Sequence, residues 1–236
     1  LYDLEPEWSD PAALYSPAAS VLGAESTPNE TLLALLASSN IASRRPVFEQ
    51  YAPVVQSRTV RRPDDADAAV LVLPTGEAIA VAIDGNGRRV ACDPRAGAIE
   101  AVYECAANLA CVGAEPLGLT NCLNFGSPEQ PAGYWQLSEA VAGMAEACTA
   151  FGIPVVSGNV SLYNNSPDSP ILPTPVVGTV GLLEDRSRAI PMRWNEGDEV
   201  WLLGEPAWDA GALAASELAW RRGRFGGEPS LDLPAV

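Results

Sequence analysis

Apolar and polar positions change period several times along this chain, and the changes predict helices and strands in alternation. Residues 1–26 are rich in Pro, Ala, Ser and acidic groups with no sustained period, so they read as an irregular lead-in. Thr27-Pro28-Asn29-Glu30 then has the form of a capping box with Pro at the first helical position. Leu32, Leu33, Leu35 and Leu36 supply the apolar stripe of that helix, and a second helical turn is expected within 43–51. Strands are expected over 57–62, 68–73 and 78–83, the last two joined as an antiparallel pair by the turn Pro74-Thr75-Gly76-Glu77. Asp84-Gly85-Asn86-Gly87-Arg88 reads as a loop whose glycines take unusual backbone angles, followed by a short basic-then-apolar piece over 89–92.

Asp93-Pro94 is an N-cap followed by a first-turn Pro, and the spacing predicts a helix over 94–112 stopped by Gly113. Ile99, Val102, Tyr103, Ala106, Leu109 and Ala110 form its expected buried face, with Glu100, Glu104 and Asn108 opposite. A strand over 117–126 follows, then a helix over 133–151 ending at Gly152. The buried side of that helix is expected at Trp135, Leu137 or Ser138, Val141, Ala142, Ala145 and Cys148. Residues 153–156 read as a buried strand running into 157–164, and 175–183 as another strand. After Glu184 only one strand (199–204) and one helix (208–222) are expected, too little to close a core, so the chain looks like the opening of a second domain.

Composition narrows the chemistry. A net charge of −16 argues against a nucleic-acid partner. All 14 basic residues are arginine, and with neither lysine nor histidine the chain has no Walker-type phosphate loop, Schiff-base lysine, His-based triad or HExxH zinc site. The five cysteines make no CxxC and their odd number does not suit a disulfide framework, so they read as small buried hydrophobes in a reducing cytosol. No apolar run approaches the length of a membrane span, and the cytoplasm is the expected location. The start at Leu1 rather than Met suggests a piece of a longer protein.

Candidate chemistry concentrates in Gly158-Asn159-Val160-Ser161-Leu162-Tyr163-Asn164. On an extended chain Asn159 and Ser161 point to one face and Val160 to the other. An amide oxygen beside a hydroxyl suits a ligand or a hard cation such as Mg²⁺, and Gly158 lets another group approach the backbone. The same residues would equally serve a strand end that satisfies a turn. Glu104 and Asn108, four apart on one helix face, are neighbours that suit either solvent or a ligand. Asp84 beside two glycines is a weaker candidate of the same kind.

Several segments occurring in order resemble the large subunit of phosphoribosylformylglycinamidine synthase, in the aminoimidazole-ribonucleotide-synthetase-like superfamily. They are Asn40-Ile41-Ala42-Ser43, Asp64 to Val70, Asp84-Gly85-Asn86-Gly87-Arg88, Thr120-Asn121-Cys122-Leu123-Asn124-Phe125-Gly126, Ser157 to Asn164 and Pro173-Thr174-Pro175. The resemblance covers about residue 30 to the end and corresponds to the second half of such enzymes. It implies an α+β fold, a half-barrel β-sheet with helices on its outer face over 30–184, preceded by the lead-in 1–29. The start of a C-terminal α/β domain would follow over 185–236.

The implied reaction uses ATP to phosphorylate the amide oxygen of formylglycinamide ribonucleotide, which ammonia from a glutaminase then replaces. By resemblance, Asn121 and Gly158 are ATP contacts, Asn159 a Mg²⁺ ligand and Ser161 a substrate contact. Asn121 stands where relatives commonly carry Asp, which puts a metal role there in doubt. Asp67, Glu104 and Asn108 resemble ligands of an auxiliary Mg²⁺-nucleotide, and Asp84 a residue near phosphates. The implied partners are the missing first half of the enzyme, a glutaminase subunit and a small accessory subunit, with self-association through the half-barrel. The family's catalytic histidine lies in that first half. A non-catalytic half holding a structural nucleotide is the alternative.

Overall fold

Strict alternation of small and branched apolar residues builds the central strand. In β6 (Thr174–Leu183), Pro175, Val177, Thr179, Gly181 and Leu183 are buried while the residues between them are not. β6 lies between β3 (Ala78–Asp84) and β4 (Glu115–Asn124) and runs antiparallel to both. Beyond β3 stand β2 (Ala69–Val72) and then β1 (Thr59–Arg61); beyond β4 stands β5 (Val155–Ser161). The sheet order is β1-β2-β3-β6-β4-β5, and it does not close. Only β4 and β5 are parallel, which requires a long crossover, and α5 (Pro131–Phe151) supplies it. The structure, a computed structural model, describes residues 27–51, 54–62, 65–167, 169–202, 213 and 215–222. The lead-in expected over 1–26 and the tail after 222 lie outside the described residues.

Helices cover one face of the sheet. α4 (Pro94–Cys111) starts where the Asp93 side chain accepts from Ala96 N at 2.9 Å, and Gly113 at φ +83° follows its end. It lies across β3 and β6, with the Cys105 thiol donating to Val177 O at 3.4 Å. α5 packs against α4, and Arg95 ties the two through Glu146 at 2.8 Å and Glu139 at 3.7 Å. Val70, Val102, Leu109, Leu119, Phe125, Met144 and Val177 lie in the shared core. The expected capping box is present at the start of α1 (Pro28–Leu36), and α2 (Arg45–Phe48) is the expected second turn.

Several expectations need correcting. α5 buries Ala140, Gly143, Met144, Ala147 and Cys148, while Val141 and Ala145 are exposed. The stripe is rotated because small residues let α5 approach α4 closely, and side-chain size gave no hint of it. On α4, Ala110 is exposed. On α1, Leu32, Leu33 and Leu36 are exposed among the described residues, and only Leu35 of the expected stripe is half-buried. Gly85 and Gly87 do not take positive φ; a Cβ at Gly85 would lie 3.0 Å from Pro175 O, so they serve close packing. Residues 89–92, for which the sequence predicts no element, belong to α3 (Gly87–Cys92), capped by Asn86 Oδ1.

Of the strand expected to be buried at 153–156 only Ile153 is buried. β5 is an edge strand, exposed along nearly its whole length, with Val156 71 % exposed. An apolar run marks a strand but not its place in the sheet. Residues 199–202 form no strand, because no described segment pairs with them, and Trp201 and Leu202 are exposed. Residues 203–204 of that expectation, and 208–212 and 214 of the last helix, lie outside the described residues; the helical part described is α6 (Glu217–Arg221). Ala219 with Leu213 and Leu218 forms a small apolar cluster separate from the main core. No helix among the described residues is long and apolar enough to cross a membrane.

Candidate functional site at the open strand edge

Pairing register decides which candidate residues meet. On β4, Leu119 and Leu123 are buried beneath the helices, so Thr120, Cys122 and Asn124 face the uncovered side of the sheet. β5 pairs Cys122 with Asn159 and Asn124 with Ser161. Asn159 Nδ2 lies 3.9 Å from Cys122 Sγ, which places Asn159 on that uncovered face. Ser161, two residues on, shares it. The two side chains therefore emerge together, Asn159 exposed and Ser161 half-buried. Gly158 and Asn121, also a register pair, face the opposite side. A Cβ on Gly158 would collide with Asn121 Oδ1, so glycine is needed there to accommodate the amide. Gly158, Asn159 and Ser161 thus lie on the edge strand and Asn121 on its neighbour β4, two on each face of the sheet, and among the described residues the main-chain groups along the outer edge of β5 have no sheet partner.

The end of this edge is tightly hydrogen-bonded. Phe125 N donates to Ser161 O at 3.0 Å, and Asn164 N donates back to Phe125 O at 3.2 Å. Tyr163, at φ +59°, turns the chain between them. Asn124 Nδ2 donates to Cys122 O at 3.0 Å and to Thr174 O at 3.2 Å, locking the end of β4 to β6. Neither Asn124 nor Asn164 was distinguishable by sequence from its neighbours in the two motifs that contain them.

A second group forms at the C-terminal end of β3. Asp84 faces α4, where Glu100 and Glu104 stand beside Arg89 of α3 around a cleft of about 370 Å³. Burial raises the Asp84 carboxyl, partly offset by the Gly85 N–H. Burial also raises Glu100, opposed by the Arg89 guanidinium at 3.4 Å, and raises Glu104 together with the charge of Asp84. Cys105, buried close by, is pushed up to about 11 by burial and then by Asp84. Glu104 thus shares this cleft with Asp84, whose like charge opposes its ionisation. Asp67 is exposed just before β2, near Cys111 rather than Glu104, and its charge adds to the burial that raises that thiol. Asn108 lies on α4 between these two places. Among the described residues no three His, Cys, Asp or Glu side chains are gathered so as to hold a metal ion.

Sequence reasoning missed a third cluster entirely. The Glu217 carboxylate accepts from Ser38 Oγ, from Asn40 Nδ2 at 2.9 Å and from Arg88 Nη2 at 2.8 Å. These bonds hold it far below the usual carboxylate range, at about 2. Arg88 also lies 5.5 Å over the Trp220 ring. The partners are 129 to 179 positions from Glu217, so no local pattern could announce them.

Residues 65–183 match the family model for AIR synthase related protein, N-terminal domain. Phosphoribosylformylglycinamidine synthase subunit PurL of Thermomicrobium roseum is 51 % identical over 208 residues, 86 % of this chain and 28 % of that protein. A Thermotoga maritima PurL structure complexed with ATP superposes with a TM-score of 0.56 at 34 % identity, covering 63 % of this chain and 24 % of that one. The PurLQS structure from the same organism gives 0.55 at 37 % identity, over 61 % of this chain and 24 % of that one. The chain therefore spans little more than a quarter of the length of the curated relative and about a quarter of each solved chain.

Proposed function

The chain belongs to the family described as AIR synthase related protein, N-terminal domain, and on that premise we propose that it is a section of a phosphoribosylformylglycinamidine synthase. That enzyme converts formylglycinamide ribonucleotide, ATP and glutamine-derived ammonia to the amidine, ADP and phosphate in purine biosynthesis. The observation carrying the reading is the common face of Asn159 and Ser161 on an uncovered edge strand, in a chain half identical to a protein named for this activity.

Each residue has a role its chemistry allows. Ser161 offers a hydroxyl to the substrate, while Gly158 and Asn121, the register pair on the opposite face of the sheet, offer backbone and amide groups to the nucleotide. Asn159 fits Mg²⁺ as a neutral, exposed oxygen donor, with the cation's charge balanced by nucleotide phosphates rather than by a carboxylate cage. ATP, when bound, supplies the phosphoryl group that activates the substrate amide; this chain's part is to hold and orient the reactants at the strand edge. Asp84 faces the α4 side, away from this edge, and is a candidate only for the separate cleft with Glu100 and Glu104. An auxiliary nucleotide held through Asp67, Glu104 and Asn108 is a further part of the proposal.

The uncovered sheet face also exposes Ile83 and Val180, and apolar surface of this kind suits burial against the first half of the enzyme or a second copy. Glutaminase and small accessory subunits complete the proposed assembly. The decisive measurement is turnover of the full-length enzyme with ammonia as nitrogen donor. Asn159→Ala and Ser161→Ala are expected to lower kcat/KM about tenfold or more each. Unchanged kcat/KM in both would leave this section a scaffold and refute the assignment.

A further inference from the structure

Asn164 has no role in the reading above, yet its side chain is the most heavily committed polar group beside Ser161. Its Nδ2 lies 2.8 Å from Ser161 O, 3.1 Å from Phe125 O and 3.0 Å from Ser161 Oγ, and its Oδ1 lies 3.3 Å from the same hydroxyl. The amide cannot be turned over, because its oxygen would then face two carbonyl oxygens. Its two hydrogens are directed at those carbonyls, so Ser161 Oγ is left sharing a donor with them or donating to Oδ1. In either case the hydroxyl is held between the two ends of a single amide. The Ser161 carbonyl is held as well, since Phe125 N and Asn164 Nδ2 occupy both of its acceptor positions.

The chain path makes this arrangement possible. The left-handed turn at Tyr163 folds the strand end back, and Ile171 N secures it by donating to Asn164 O at 3.0 Å. A free serine hydroxyl samples several staggered rotamers, and a ligand that uses it must first restrict them.

We infer that Asn164 is a positioning residue for Ser161, fixing the hydroxyl in the orientation that meets the substrate at the β5 edge. This rests on the proposed role of Ser161, and the test separates the two. In the full-length enzyme, with formylglycinamide ribonucleotide, ATP and ammonia, Ser161→Ala should lower kcat/KM about tenfold and Asn164→Ala about three- to tenfold, the latter chiefly through KM. In the Ser161→Ala background, Asn164→Ala should add less than about twofold, because there is no hydroxyl left to orient. Asn164→Ser, which keeps one donor, should recover part of the loss, and it replaces the alanine variant in the same cycle should that one not fold. Equal effects of Asn164→Ala in both backgrounds, or none in the wild type, would overturn the positioning role while leaving Ser161 as a contact. An unchanged kcat/KM for Ser161→Ala alone would overturn the contact and the positioning role with it.

Discussion

Gly143→Ala tests whether the helical layer behind the strand edge depends on the absence of one methyl group. A Cβ built at Gly143 would lie 2.3 Å from Arg95 O, 3.0 Å from Arg95 C and 3.1 Å from Arg95 Cα. All three atoms are backbone, so no rotamer change relieves the clash and α4 must move off α5. Restoring contact at about 3.5 Å requires a separation of roughly 1 Å. A gap of that size forfeits a quarter to a half of the dispersion energy across Ala140, Met144, Ala147 and Cys148. Overpacking of this kind costs about 1–3 kcal/mol. Alanine offsets it by about 1 kcal/mol through its better helix propensity.

The net expectation is a loss of up to about 2 kcal/mol, which lowers Tm by up to roughly 8 °C in a chain of this size. Thermal unfolding followed by circular dichroism reads it directly. At an open helical position the same substitution would raise Tm, so a Tm above that of the wild type would refute the close approach of α4 and α5.

The acidic groups give predictions of opposite sign. Glu217, held at about 2, contributes stability that is complete above its ordinary 4.5 and is lost as the pH falls toward 2. Glu217→Gln should therefore lower Tm at pH 7, and the gap to wild type should narrow between pH 5 and pH 3; a gap independent of pH would contradict the cluster with Arg88. Asp84, raised by burial, costs stability once ionised, and that cost sets in as the pH rises from 3.8 through its raised value. Asp84→Asn should raise Tm at pH 7 and leave it unchanged near pH 3, whereas a lower Tm at pH 7 would mean the carboxylate is stabilised in the fold. Cys105, buried and pushed up to about 11, should resist alkylation at pH 8 until the chain unfolds, while exposed Cys111 reacts in the native state. Mass spectrometry of the labelled native protein that finds Cys105 modified would place it outside the core.

Local chemistry was legible in the residues themselves. Thr27 and Glu30 announced the first helix, Asp93 and Pro94 the start of α4, and Gly113 and Gly152 the ends of α4 and α5, because caps and stops act over three or four positions. The alternation of Asn159 and Ser161 about Val160 was legible too, because a strand has a period of two wherever it lies. Tertiary structure alone decided the rest. Whether Val155 and Val156 sat in the middle of the sheet or at its rim depended on strand order, which no run of apolar residues encodes. Likewise, the buried stripe of α5 depended on how near α4 could come at Gly143. The separation of Asn121 and Gly158 from Asn159 and Ser161 depended on the register between β4 and β5. The gathering of Ser38, Asn40 and Arg88 around Glu217, and of Phe125 and Ser161 around Asn164, depended on where the folded backbone returned. Caps and alternation are properties of neighbours in the chain, while edges, registers and hydrogen-bonded hubs are properties of neighbours in space.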